Sequence, residues 1–99
     1  IRVGTILRAE EYNKAKRPSF KILIDLCPEI GQKKTSAQVT KHYTLDRLIG
    51  MQIACVLNFS PRQISNFMSE VLLLGFPDEE GDVVIIGPKQ KVPNGGKLH

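Results

Sequence analysis

The residues best placed to do chemistry in this sequence lie in one short stretch, Lys33-Lys34-Thr35-Ser36-Ala37-Gln38-Val39. Its alternation puts Thr35, Ala37 and Val39 on one face of an extended strand and Lys34, Ser36 and Gln38 on the other. Lys33 and Lys34 supply mobile point charges that suit phosphate oxygens. Ser36 and Gln38 can donate to, or accept from, base edges or a peptide backbone. An outward polar row that merely meets water has the same pattern, so the pattern alone leaves both readings open. Lys41 and His42 follow directly. Arg62 follows Pro61, where a guanidinium could reach a phosphate or a carboxylate.

A second group is apolar. Phe59, Ile64, Phe67 and Met68 crowd around the loop that holds Arg62. Packing is the expected role of Phe59 and Phe67. Ile64 and Met68 are the candidates for exposure, in an apolar binding pocket or a dimer contact, Met68 because its flexible thioether adapts to varied shapes. With six aromatic residues in all, counting Phe and Tyr, a stacking platform for single-stranded nucleic acid is not expected. No nucleophile–base set, CxxC, HExxH or phosphate-cradling glycine loop is present, so the expectation is a binding protein that is not an enzyme, with no cofactor. A metal site from Cys27, Cys55 and His42 would need three distant residues to converge, and none is expected.

Length and composition set the frame. The 99 residues, 41% hydrophobic and 24% charged, make one domain spanning 1–99. No apolar run approaches the ~20 residues of a spanning helix, so no membrane insertion is expected. Position 1 is Ile rather than Met, which implies sequence upstream. The net charge is +4, although Asp78, Glu79, Glu80 and Asp82 concentrate acid in one turn. The remainder is more basic still, a balance that favours polyanionic partners. Two isolated cysteines read as buried free thiols of a reducing compartment, and the expected location is cytoplasmic.

These groups must be held by strands. Arg2–Glu10 is expected to turn Val3, Leu7 and Ala9 inward and Arg2 and Arg8 outward. Asn13–Pro18 reads as a basic loop. Phe20–Leu26 alternates most strictly, with Phe20, Ile22, Ile24 and Leu26 on one face and Lys21, Leu23 and Asp25 on the other. Lys33–Val39 is the third strand. Thr44–Gly50 is the one helix, capped by Thr44, lined by Leu45, Leu48 and Ile49, and ended by Gly50. Met51–Phe59 is the fourth strand, Ser60–Asn66 a loop or short 3₁₀ turn, and Phe67–Leu74 and Asp82–Ile86 are strands joined through Gly81. Val92 and Leu98 would anchor a Pro/Gly-rich tail. This order describes an all-β, five-stranded OB-fold, a Greek-key barrel with one short helix between strands 3 and 4, whose binding face is commonly the outer surface of strands 2 and 3. An SH3-like barrel is the competing topology.

Four segments carry a family resemblance across nearly the whole chain. They are Arg2–Ile6, Lys33–Thr40, Met51–Phe59 and Val92–Gly96. They resemble the tRNA-binding OB domain appended to methionyl-tRNA synthetases and found in endothelial monocyte-activating polypeptides. Asn58-Phe59-Ser60-Pro61-Arg62-Gln63-Ile64, followed by Ser69-Glu70-Val71-Leu72, resembles the CsaA-type export-related chaperones within that family. Synthetase appendages usually carry Gly-Met where Val71-Leu72 stands; Ser60 replaces a Pro usual in CsaA. The resemblance implies a homodimer that binds unfolded precursor proteins without ATP, with the secretion ATPase as a further partner. It marks Asn58, Arg62 and Ser69 as recurrent positions. tRNA binding, a property of the wider family, is the alternative role.

Overall fold

The strictest alternation in the sequence becomes the centre of the sheet. In the computed structural model, which describes residues 1–12, 18–57, 62–64 and 67–99 (the backbone alone for 62–64, 67 and 68), β2 spans Ser19–Cys27. Phe20, Ile22, Ile24 and Leu26 are buried, while Lys21, Leu23 and Asp25 turn to the other side. β1 (Arg2–Tyr12) and β3 (Gly31–Ala37) flank β2 antiparallel. β4 (Gln52–Val56) pairs with the far edge of β1, and β7 (Leu72–Leu73) with β4. The sheet order is therefore β3-β2-β1-β4-β7. Two hairpins accompany it: β5 (Arg62–Ile64) with β6 (Phe67–Ser69), and β8 (Gly75–Pro77) with β9 (Val83–Ile85).

The sheet curls until the free edge of β3 meets residues 69–71. The Glu70 N–H donates to the Lys34 carbonyl (2.8 Å), and the Lys34 N–H donates to Glu70 Oε1 (3.1 Å). Ser36 N–H donates to Ser69 Oγ (3.1 Å), and Thr35 Oγ1 donates to the Val71 carbonyl (2.8 Å). This seam gives β3's edge partners it would otherwise lack, and it makes the curled sheet an OB-type barrel.

β1 departs from the expected alternation. Ile6 is 1% exposed and Leu7 is 36% exposed, the reverse of the expectation for Leu7. Ile6 pairs with Ile24 and Arg8 with Leu23, so Leu7 is an extra, unpaired residue: a β-bulge. The bulge shifts parity, so Thr5 and Arg8 both face outward although three positions apart, and Ala9 returns to the core.

The helix is α1 (Leu45–Leu48), placed between β3 and β4. Thr44 Oγ1 accepts from the Arg47 N–H (3.4 Å), the expected cap. Leu48 is fully buried and Leu45 packs on the core, but Ile49 is 52% exposed. The chain leaves helical geometry at Ile49 (φ −64°, ψ 126°), which swings its side chain off the helix face. Gly50 then takes the left-handed conformation (φ +89°), as expected.

Four other expectations are revised. β4 ends at Val56. Arg62–Ile64, expected as loop, forms a strand with Phe67–Ser69, and the expected long strand from Phe67 to Leu74 is divided into β6 and β7, because its two halves serve different partners, β5 and β4. The tail is held by polar contacts: Val92 and Leu98 are 38% and 68% exposed and anchor nothing by burial. Instead Arg2 Nη1 donates to the Gly95 carbonyl (2.7 Å), and the Gly95 N–H donates to the Val3 carbonyl (2.7 Å). Gly95 is buried at φ +88°, where a Cβ would approach Cys27 Sγ and the Leu26 carbonyl oxygen to 2.9 Å.

Candidate functional site: the outer face of β1, β2 and β3

Register across the three strands generates the site. Arg8 lies opposite Leu23, and Leu23 opposite Lys34, giving a transverse row of cation, apolar residue and cation. The next row is Glu10, Lys21 and Ser36; the row on the other side is Thr5, Asp25 and Gln32. Alternation keeps all three rows on the outward face, about 7 Å apart. Arg8, Lys34 and Glu10 are exposed, while Lys21 and Leu23 are half-buried. Lys21 Nζ sits 4.9 Å from the centroid of the buried Tyr12 ring, a cation–π contact that restrains the ammonium beside the strand.

A groove of about 330 Å³ runs over the first two of these rows, with Ile49 on its rim. A second, of about 690 Å³, continues past Thr5 and Asp25 to the segment Pro88–Asn94. The grooves meet where Leu7 adjoins Arg8 and Gly50 adjoins Ile49. That junction is fixed by backbone, since the Gly50 N–H donates to the Ile6 carbonyl (2.8 Å) and the Ile6 N–H to the Met51 carbonyl (2.9 Å). The bulge and the end of the helix thus place two apolar side chains in the lining, Ile49 in the first groove and Leu7 in the second.

Of the candidate residues, Lys34, Ser36 and Gln38 share the outward side; Gln38 is exposed just beyond the end of β3. Lys33 takes the side of Thr35 and is half-buried, so Lys33 and Lys34 do not act on one surface. Ser36 and Ser69 meet in the seam, where their hydroxyls are 3.4 Å apart and Ser69 is only 5% exposed. Lys41 is exposed in the turn after β3. Asn58 and Phe59 lie outside the described residues, as does the basic loop with Lys14, Lys16 and Arg17. For Arg62, Ile64, Phe67 and Met68 the description stops at strand backbone.

His42 does not join the face. Its Nε2 lies 2.7 Å from Asp78 Oδ2, tying the turn after β3 to the β8–β9 hairpin. The hydrogen bond from His42 is the largest influence holding the Asp78 carboxyl below its ordinary range, and the N–H groups of Asp82 and Glu80 reinforce it by donating to Oδ1 (2.9 Å each). Tyr43 adds a second tie, its hydroxyl accepting from the Ile85 N–H (2.9 Å). Cys55 is buried, and desolvation pushes its thiol up to about 11. Cys27 is a free, half-buried thiol. Among the described residues no group of three or more His, Cys, Asp or Glu is arranged to hold a metal ion. Nor is any helix among them long and apolar enough to cross a membrane.

The sequence reading missed Ile49, Gln52, Lys89 and Lys91 as members of this surface. The lysines were visible as tail charges, but nothing local predicts that the tail returns to the sheet. Gln52 lies in the resemblance segment Met51–Phe59, but its role arises only once Val92 lies beside it.

Comparisons with known proteins place the chain as a whole. The sequence model of a family described as "Putative tRNA binding domain" matches residues 1–97. The fold superposes on the chaperone CsaA of Bacillus anthracis with TM-score 0.93 and 46% identity, covering 99% of this chain and 88% of that one. A CsaA chaperone protein from Picrophilus torridus superposes with TM-score 0.91 and 41% identity, covering 99% and 89%. A methionine–tRNA ligase of Porphyromonas gingivalis is 31% identical over 98 residues. The chain spans 99% of its own length but only 14% of that ligase in the match.

Proposed function

The chain belongs to the tRNA-binding-domain family, within its CsaA chaperone group, and from that premise we propose that it is an export-related chaperone that holds unfolded precursor polypeptides without ATP. The observation that carries the reading is the Arg8–Leu23–Lys34 row on an open strand face, bordered by Leu7 and Ile49. An extended chain laid there would bury an apolar side chain against Leu23 while its backbone and polar groups met Ser36, Gln38 and the flanking cations. Such contacts are individually weak and reversible, which suits a protein that must release its client. Binding, with no catalytic step, is the proposed role. Arg62, Asn58, Ile64 and Met68 are proposed to extend the client surface on the β5–β6 side.

The proposed assembly is a homodimer, consistent with the exposed apolar side chains Phe76 (65%) and Leu98 (68%). The proposed setting is the cytoplasm, with the secretion ATPase receiving the client.

A second reading rests on the same cations. Arg8, Lys21 and Lys34 support structure-specific tRNA binding through phosphate placement, with Lys33 on the other side of β3 and Lys41 in the turn after it proposed as further phosphate contacts. The two readings separate in one experiment. Aggregation of a urea-unfolded client is followed by light scattering without nucleotide, and bulk tRNA is titrated at low and moderate salt. The chaperone reading expects suppressed aggregation that weakens in Arg8→Ala/Lys34→Ala. No suppression, with tight and salt-sensitive tRNA binding, would replace it with the second reading.

A further inference from the structure

We infer, resting on the polypeptide-binding reading above, that the segment Pro88–Asn94 is a second cationic wall of the same face, and that the face selects extended segments in which acidic side chains flank an apolar one. The segment is held like a strap. Gln52 Nε2 donates to the Val92 carbonyl (2.6 Å), and the Val92 N–H donates to Gln52 Oε1 (3.0 Å). One side-chain amide thereby satisfies both backbone groups of a residue that has no strand partner. Asn94 Oδ1 closes the clasp by accepting from Gln52 Nε2 (3.0 Å) and Thr5 Oγ1 (2.8 Å).

The clasp has a consequence for charge. It fixes the strap beside the Thr5–Gln52 pair of β1 and β4, and Lys89 and Lys91, both exposed, line the groove that already contains Thr5 and Asp25. The continuous face then has cations at both ends: Arg8, Lys21 and Lys34 at one, Lys89 and Lys91 at the other. Its apolar middle is Leu7 and Ile49, and Leu23 adds an apolar residue within the Arg8–Lys34 row. Five cationic side chains line the two grooves against two acidic ones, Glu10 and Asp25. The complement of that arrangement is a chain with an apolar centre and acidic flanks. Gln52 acts here as a positioning residue, through the lysines it holds in place.

The test uses the full 99-residue chain and three fluorescent peptides with the same apolar centre and acidic, neutral or basic flanks. Anisotropy titrations should rank acidic above neutral above basic, with salt narrowing the difference. Lys89→Gln/Lys91→Gln should weaken the acidic peptide by about three- to tenfold and leave the neutral one unchanged. Gln52→Ala should weaken the acidic peptide similarly, and combining it with the lysine changes should add little, because all act through one element. A purely structural role for Gln52 would instead lower all three affinities together. Equal affinities for acidic and neutral peptides, or an unaltered lysine variant, would overturn the inference while leaving polypeptide binding in place. If no peptide and no unfolded client binds, the functional reading itself falls. If bulk tRNA binding is then reduced by the lysine changes, the strap is assigned to nucleic acid and the inference is overturned with it.

Discussion

The Thr35 hydroxyl donates to the Val71 carbonyl at 2.8 Å from a side chain that is 1% exposed, and it does so where the curled sheet meets itself. Threonine is required there in two capacities. Its methyl packs with the core, and its hydroxyl satisfies a backbone acceptor that water cannot reach. Thr35→Val keeps the shape and removes the donor, leaving that carbonyl unpaired. The expected cost is about 1–3 kcal/mol, read as a lower urea midpoint with an unchanged slope.

Leu48 brings the helix into the core cluster. It is fully buried, and it is carried by a helix of four residues that is too short to hold itself. Leu48→Ala should therefore cost about 2–5 kcal/mol. The same change at Ile49, which faces outward, should cost well under 1 kcal/mol by comparison. Parallel thermal melts of the two variants check the contrast.

The Asp78–His42 pair predicts an acid limb in stability. The carboxyl is held below its ordinary value of 3.8, so the unfolded chain binds the proton more readily than the folded one. The stabilisation is present above pH 3.8 and is lost as the pH falls through the lower folded value. Asp78→Asn should flatten stability against pH in that acid range. An unchanged acid limb in urea titrations between pH 5 and about 2 would show that other carboxylates dominate it.

The two thiols should react at different rates. Burial holds Cys55 as the neutral thiol up to about 11, whereas Cys27 is partly accessible. A thiol reagent at pH 8 should label Cys27 first, and Cys55 only as fast as the barrel opens. Mass spectrometry of the time course distinguishes the two sites. For the same reason, thiolate formation at Cys55 should erode stability only as the pH rises above 9.0 toward 11, since the unfolded chain ionises first.

What was legible in the sequence follows from how local each cause is. β2 could be read residue by residue, because its buried and outward side chains alternate without interruption from Phe20 to Leu26. The outward placement of Lys34, Ser36 and Gln38 followed from the same logic, as did the Thr44 cap and the left-handed Gly50. Leu7 was misplaced because a bulge adds one residue without changing composition, and only the register with β2 exposes it. Ile49 was misplaced because helical spacing was extended one residue past the point where the backbone turns. The tail was misread because apolar residues were assumed to anchor it. In fact Arg2, Gln52 and Asn94 supply the hold; each lies in a segment that carries the family resemblance, but none shows a periodicity that would pair it with the others. Long-range polar pairing of this kind leaves no periodicity for a sequence reading to find.

The N–H of Leu98 donates to the Ile1 carbonyl at 2.9 Å, and Lys97 bridges to Arg2. Ile1 and Leu98 therefore lie side by side, and a short linker between these two positions would not bend the barrel. New ends could then be opened at Gly81, an exposed turn residue, giving a circular permutant with the same core. The same adjacency of positions 1 and 98 would let this barrel be spliced into a loop of a larger host protein while displacing that loop's two stems by little.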